Sequence, residues 1–195
     1  MNDRSMPGYL CSIFLVLGLA GPALGTVVEH LDFKGLEEYA DVVVLGAVVG
    51  THSEWTADAK TIVTLTRIWV QRKLKGDPGA GDITVTVLGG TVGSHTVRVP
   101  GAPSFLVGER VFLFLQRRAD GSYGVVSLAQ GSFKVHKDPA TGRDVLRRDP
   151  GAGHLPIPDA DVRRGRTPEE VVLDDVVQKL RSGTRGEAAP VVNLK

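Results

Sequence analysis

Cysteine is almost absent from this sequence of 195 residues. The single one, Cys11, lies in an uncharged apolar stretch near the amino terminus and would be lost if that stretch were cleaved off. Disulfide scaffolds, cysteine-based zinc sites and cysteine nucleophiles are then excluded for the rest of the chain. A domain of this length can fold on its hydrophobic core alone.

An excess of charge of one sign is also lacking. The 23 basic and 22 acidic residues give a formal net charge of +1, and no block of basic residues interrupts the balance. Proteins that bind nucleic acid usually carry a clustered basic surface. We therefore expect no nucleic-acid partner.

The sequence also lacks the closely spaced residues that are typical of a metal site or of an activated nucleophile. Metal ligands often lie a few residues apart, whereas the histidines are scattered, and no Gly-x-Ser-x-Gly elbow occurs. Adjacent acidic residues fall in predicted helices, where neighbouring side chains diverge. We predict no catalytic residue, no metal and no cofactor. A hydrolase stays open as an alternative if folding brings together carboxylates and histidines from this set: His30, His52, His95, His136 and His154.

A glycine-rich stretch at 88–93 has the composition of a phosphate-binding loop. It follows an alternating run at 82–88 and leads into another at 95–99, without the helix or the lysine that such loops need. We interpret it as the connection of a β-hairpin.

The first 25 residues differ in kind from the rest. Residues 9–25 carry no charge, and their apolar core is too short for an ordinary membrane span. Pro22 and the small residues after it provide a cleavage site. We predict a signal peptide at 1–25 that is cleaved before Thr26, and hence a secreted or periplasmic protein without stable membrane insertion. An uncleaved anchor is the alternative, because the acidic Asp3 offsets Arg4.

The remaining chain has the pattern of short strands. Apolar and β-branched runs at 42–49 and 61–70 flank a polar turn at 51–60 and predict an antiparallel pair. Further strands are predicted about every ten residues, which is typical of an all-β sandwich or barrel. The continuous apolar run Val111 to Leu115 is expected where both faces of a strand are covered. The further strands are at 82–88, 95–99, 111–115, 123–128, 131–136 and 144–146.

Two helices are expected beside the strands. The first covers 31–40, and the second begins at Thr167 and Pro168 and ends at Gly183. Their predicted apolar faces are Leu31, Phe33, Leu36 and Tyr39, and Val172, Leu173, Val176, Val177 and Leu180. The predicted organisation is a signal peptide at 1–25, a β-barrel domain at 26–149, a linker at 150–166, a helix at 167–183 and a flexible tail at 184–195.

The order of motifs resembles the netrin-like OB barrel of tissue inhibitors of metalloproteinases and of small secreted bacterial proteins of unassigned function. The motifs are, in chain order, Ala40-Asp41-Val42-Val43-Val44, Leu74-Lys75-Gly76-Asp77, the strand 83–87, and Phe105-x-x-Gly108-Glu109 before the strand 111–115. The resemblance implies an OB-like small barrel and a binding role without catalysis. The inhibitors place an amino-terminal cysteine at the protease zinc, and Thr26 stands where that cysteine would be, so no inhibitory residue carries over.

The sequence therefore predicts a secreted, non-catalytic binding module. Its partner is a protein, and an exported protease is the class that the resemblance implies. The alternative is a structural or envelope-assembly protein without inhibitory activity. The candidate partner-binding residues are Trp55, which the pattern places in a polar loop where an exposed tryptophan can anchor a partner, and Thr26, whose free amine could approach a metal. For Trp55 a packing role at one end of the barrel is the competing interpretation.

Overall fold

The computed structural model describes residues 31–148 and 170–185. Within these ranges the chain forms ten strands, two α-helices and one 3-10 helix. The elements are α1 (Phe33–Tyr39), β1 (Val42–Trp55), β2 (Ile62–Lys75), β3 (Asp82–Leu88), β4 (Gly90–Val92), β5 (His95–Val97), β6 (Arg110–Arg117), β7 (Tyr123–Val125), the 3-10 helix (Leu128–Gly131), β8 (Ser132–Lys137), β9 (Asp144–Arg148), β10 (Glu170–Val172) and α2 (Leu173–Arg185).

Five strands close into a barrel in the order β1-β2-β3-β7-β6, because β6 also pairs with β1. All strand pairings around the barrel are antiparallel except that of β3 with β7. This pairing is parallel and consists of one residue pair, Val85 with Tyr123. The predicted OB-like all-β barrel with two helices is confirmed.

Three further strands extend the sheet outside the barrel. β8 pairs with β6, β9 with β8, and β10 with β9, all antiparallel. The hairpin of β4 and β5 forms a separate two-stranded sheet. β1 and β2 are 14 residues long, and their far ends pair with each other while the opposite side of β2 pairs with β3. We call Gly50 to Trp55 together with Ile62 to Arg67 the β1–β2 ribbon.

The alternation of side chains along each strand separates two cores. On β6 every residue from Val111 to Leu115 is fully buried, as the apolar run predicts. Its odd-numbered residues point into the barrel, whereas Phe112 and Phe114 point into a second core outside it. The barrel interior contains Val42, Val44, Val48, Ile68, Ile83, Val85, Val87, Val111, Leu113, Leu115 and Tyr123.

The second core, called the outer core below, lies between the outside of β1 and β6, the strands β8 and β9, and both helices. Helix α1 begins at the cap Asp32, whose carboxylate accepts a hydrogen bond from the Gly35 amide at 2.8 Å. Leu36 is buried in this core and Leu31 and Phe33 pack against it, as predicted. Tyr39 is 56% exposed, so its assignment to the buried face was wrong: the helix ends there and the chain turns into β1.

Helix α2 docks the predicted residues Leu173, Val176, Val177 and Leu180 on the outer core. Its start differs from the prediction, because residues 170–172 form β10 and the helix begins at Leu173. The β-branched Val171 and Val172 complete the edge of β9 in place of a first helical turn. The helix continues through Gly183 to Arg185. The predicted cap at Thr167 lies outside the described residues.

Other predicted segments fall outside the described ranges. They are the signal peptide at 1–25, Thr26, the linker at 150–166 and the tail from 186 onward. None of the described helices is long and apolar enough to cross a membrane.

Several predicted strand bounds need correction. β2 runs to Lys75 and not to residue 70, and β5 ends at Val97 and not at residue 99. The predicted polar loop at 51–60 is in fact strand up to Trp55, and the turn covers only the residues between β1 and β2. The predicted strand 123–128 stops at Val125, because Ser127 and Leu128 have positive φ angles of 50° and 58° and start the 3-10 helix. Left-handed backbone at two successive side-chain-bearing residues cannot continue a strand.

Candidate functional site

Trp55 lies at the end of the β1–β2 ribbon and not in a loop. It pairs with Ile62, which is fully buried, so the two side chains lie on the same side of the ribbon. The Trp55 ring meets the His95 ring of β5 edge to face, with centroids 5.5 Å apart, and the residue remains 39% exposed. Trp55 therefore packs against the β4–β5 hairpin and also presents part of its ring to solvent.

The β4–β5 hairpin lies across the inner face of this ribbon. The hydroxyls of Ser53 and Thr64 are 2.9 Å apart, and Thr64 donates to the Gly89 carbonyl at 2.8 Å. Gly90 has a φ of 142°, and a Cβ there would come within 2.5 Å of both hydroxyl oxygens. The glycine-rich stretch was predicted to be the connection of a hairpin between 82–88 and 95–99. In the structure residues 90–92 are instead the first strand of a separate hairpin, and Gly90 permits a close approach of backbone to side chains.

A second exposed apolar feature is the loop that precedes β6. Leu106 and Val107 are 68% and 63% exposed, more than any other large apolar residue described. The loop is nevertheless firmly held. The Gly108 amide donates to the Val48 carbonyl, and the Leu106 amide donates to the Glu109 carboxylate at 2.8 Å. We call Ser104 to Glu109 the apolar loop.

The base of the apolar loop is tied down by Lys134 of β8. This lysine is 8% exposed, and its ammonium bonds to both the Glu109 carboxylate and the Ser104 carbonyl. The same ammonium lies 5.2 Å from the centre of the Phe105 ring. Two acceptors and a neighbouring ring offset part of the cost of burying this ammonium. Leu106 and Val107 are therefore presented to solvent on a fixed backbone.

The sequence analysis missed this loop as a site. Its local signal was visible, since Phe105, Leu106 and Val107 stand between Pro103 and Gly108 without the length or alternation of a strand. The contribution of Lys134 had no such signal, because it comes from a strand 25 residues downstream of Glu109.

A shallow depression of about 220 Å³ lies near the amino-terminal end of the described chain. It is lined by Leu31, Tyr39, Gln116, Val126 and Ser127. Buried Gln130 supports its wall, since its side chain accepts from the Leu31 amide at 2.9 Å and donates to Ser127 Oγ at 2.8 Å. The second of these bonds reaches the hydroxyl of Ser127, whose backbone is left-handed.

Titratable groups are dispersed over the surface. His52, His95 and His136 are all exposed, and His30 and His154 lie outside the described residues. Across 31–148 and 170–185, no three histidine, cysteine or acidic side chains come close enough to hold a metal ion. The clearest ionic contact is that of Asp144 with Arg110 at 2.9 Å and Lys137 at 3.2 Å. Burial raises the pKa of Asp144, but the hydrogen bonds from Arg110 and Lys137 outweigh it and hold that pKa below its ordinary value.

The chain was compared with known families and with curated proteins. No protein-family model matches it, and no curated protein matches it. The resemblance to the netrin-like barrel of metalloproteinase inhibitors stays a prediction that rests on the motifs in the sequence.

Proposed function

We propose that this protein is a secreted, non-catalytic module that binds another protein through the apolar loop. The observation that carries the proposal is the exposure of Leu106 and Val107 on a backbone held by Lys134, Glu109 and Val48. Large apolar side chains that lie exposed beside each other often mark a site where a partner protein binds. A fixed loop also loses little conformational entropy on binding, which favours affinity.

Trp55 is the second candidate contact. About two fifths of the residue is exposed at the end of the ribbon, where its ring packs on His95. Tryptophan is enriched among the residues that dominate binding energy. Its packing on the hairpin gives it a structural role in addition, so its contribution to binding has to be separated from its contribution to stability.

The partner class is an exported protease, which is what the resemblance implies. A structural or envelope-assembly role is the alternative. The proposal includes secretion and a partner contact by the free amine of Thr26. Both are predicted from the sequence pattern alone.

Affinity capture tests the function. The complete sequence is expressed, the protein that accumulates is immobilised, and exported proteins bound to it are identified by mass spectrometry and assayed for protease activity. We expect a protease whose activity falls in the complex. Capture of envelope structural proteins alone, or of no protein, would contradict the protease-binding proposal and favour the structural role.

The contact surface is tested with the double variant Leu106→Ser/Val107→Ser. Because both side chains are exposed, the free energy of unfolding should change by less than about 0.5 kcal/mol. The dissociation constant for the captured partner should rise at least about tenfold if these residues are binding hot spots. Leu88→Ser, at a 42% exposed position on β3, is the matched control and should leave the dissociation constant unchanged.

Trp55→Ala completes this test. Weaker binding with an unchanged melting temperature would assign Trp55 to recognition, whereas a lower melting temperature with unchanged binding would restrict it to packing of the hairpin. If both Leu106→Ser/Val107→Ser and Trp55→Ala bind the partner as the original chain does, neither the apolar loop nor Trp55 is the binding surface.

A further inference from the structure

The ribbon leaves one edge of β1 open. On that side the residues up to Ala47 pair with β6, and Val48 bonds to the backbone of Gly108 and Glu109. Beyond Val48, no described strand or loop bonds to the same edge of β1 as far as Trp55. Open strand edges are templates for pairing with another chain. We call Thr51 to Trp55 the open edge.

The register with β2 determines which backbone groups point outward from this edge. The Thr56 amide donates to the Thr61 carbonyl, so this pair is hydrogen-bonded. The pairing with β2 is regular from Gly50 to Trp55, and hydrogen-bonded pairs alternate in an antiparallel ladder. His52 and Glu54 therefore bond to β2, and the amides and carbonyls of Thr51, Ser53 and Trp55 point to the open side.

The outward-pointing residues are symmetric about Ser53. If a second copy adds to this edge in antiparallel orientation with Ser53 opposite Ser53, Thr51 faces Trp55 and Trp55 faces Thr51. All three are then hydrogen-bonded pairs. In the closer, non-hydrogen-bonded positions between them, His52 of each copy faces Glu54 of the other. Opposite charges at such positions stabilise a sheet, and like charges destabilise it.

The neighbouring registers lack this complementarity. A shift by two residues in one direction puts His52 opposite His52, and a shift in the other puts Glu54 opposite Glu54. A shift by one residue would put outward-pointing groups opposite inward-pointing ones. Only pairing about Ser53 satisfies both the hydrogen-bond pattern and the charges.

The exposure of the open edge agrees with this pairing. The side chains of His52 and Glu54 are 75% and 50% exposed, and the His52 Nε2 and a Glu54 carboxylate oxygen lie 4.0 Å apart on one face. The edge is bounded by the apolar loop at Val48 and by the turn after Trp55, so it accommodates a short strand and not a long one. We propose that two copies of this chain pair through Thr51 to Trp55 about a twofold axis at Ser53.

The oligomeric state in solution tests the proposal. The complete sequence is expressed, and the protein that accumulates is analysed by sedimentation velocity over a range of concentrations. We expect a concentration-dependent dimer. A protein that stays monomeric at every concentration would overturn the proposal, and so would a dimer that the edge variants below do not weaken.

Ser53→Pro is the backbone variant. It removes the amide at the centre of the proposed interface, whereas no bond to β2 is lost because that amide points outward. The dimer dissociation constant should rise at least about tenfold. Ser53→Ala is the matched control, since it loses the same hydroxyl and keeps the amide, and it should dimerise as the original chain does.

A pair of charge variants tests the register independently of any backbone change. His52→Glu alone places two glutamates opposite each other, and Glu54→Lys alone replaces the carboxylate that faces His52 by an ammonium. Each should weaken the dimer about tenfold. In an equal mixture of the two variants, the introduced glutamate of one copy faces the introduced lysine of the other, and the remaining Glu54 faces the remaining His52. The mixture should therefore form a mixed dimer of nearly the original affinity. Sedimentation with a fluorescent label on one variant measures this.

The charge control is Glu38→Lys, on helix α1, where the side chain is 65% exposed and far from the edge in the sequence. It should leave the dimer unchanged. A mixture that associates no better than either charge variant alone would contradict the register about Ser53, and the proposal with it. This result is independent of partner capture by the apolar loop, because that surface is unchanged in all of these variants.

Discussion

The two cores lie on opposite faces of β6 and are built from different side chains. The barrel interior is aliphatic except for Tyr123, and Val and Ile dominate it. The outer core is aromatic at its centre, where the rings of Phe33, Phe112, Phe114 and Phe133 have centroids 5.1 to 6.4 Å apart. The interior of a small barrel is filled here mainly by branched aliphatic side chains, whereas the gap between the sheet and the helices is filled by rings.

The two cores also differ in how they are assembled. The barrel interior is supplied by strands alone, between Val42 and Tyr123. The outer core needs segments from both ends of the described chain, from Leu36 of α1 to Leu180 of α2. The residues of the barrel interior thus come from one continuous part of the sequence, whereas the outer core brings together segments that are far apart in the sequence.

The largest expected effects come from neighbouring residues that serve different cores. Phe112→Ala should lower the free energy of unfolding by about 3–5 kcal/mol, and Leu113→Ala by about 2–5 kcal/mol, because both side chains are fully buried. Urea unfolding measures both. Hydrogen exchange should locate the damage in α1 and α2 for Phe112→Ala and in β2 and β3 for Leu113→Ala. The same pattern of exchange in both variants would show that the cores do not act separately.

Helix α2 offers a way to damage the outer core alone. Val177 is 5% exposed, and Val177→Asp would bury a carboxylate without a charged partner. We expect a loss of about 2–4 kcal/mol and faster amide exchange in α2 and β10, with β1 to β3 still protected. Gln178→Asp, at the next, exposed position, is the control and should have little effect. Loss of protection throughout the barrel would show that the barrel depends on the helix.

The smallest expected effect concerns the ionic contact that joins β9 to the first residue of β6. Since Arg110 and Lys137 lower the pKa of Asp144, its contribution to stability is present above its ordinary value of 3.8 and is lost as the pH falls through the lower pKa of the folded state. Asp144→Asn should therefore be less stable than the original chain at neutral pH, and the difference should shrink below about pH 4. Melting temperatures across this range check it. A difference that grows with acidity would contradict the assignment.

The strand pattern was sufficient to predict the barrel and much of its interior. Alternation at Ile83, Val85 and Val87 predicted one buried face, and the unbroken apolar run on β6 predicted two. These predictions succeeded because a strand has a period of two and each residue's face follows from its neighbours. Tyr39 failed because it lies at a helix end, where the face is set by the direction of the following chain.

The candidate site was less accessible to sequence reasoning. Trp55 was placed in a loop because polar residues precede it, whereas the strand continues through them as an exposed ribbon. The start of α2 was predicted too early. Thr167 and Pro168 form a favourable capping sequence, but residues 170–172 pair with β9 as a strand. The fixed form of the apolar loop depends on Lys134 and Val48, which are distant in the sequence, and no local pattern reveals such contacts.

The pairing of β1 with β6 has a consequence for the order in which the chain becomes structured during its synthesis. Val42 to Ala47 form hydrogen bonds with residues 110–115, which the ribosome adds only after β2 and β3 are complete. Until then β1, β2 and β3 lack the strands that close the barrel, so the apolar face that becomes its interior cannot be enclosed. β7, which joins β3 to β6, is added later still, so the barrel cannot close before Val125 has been synthesised.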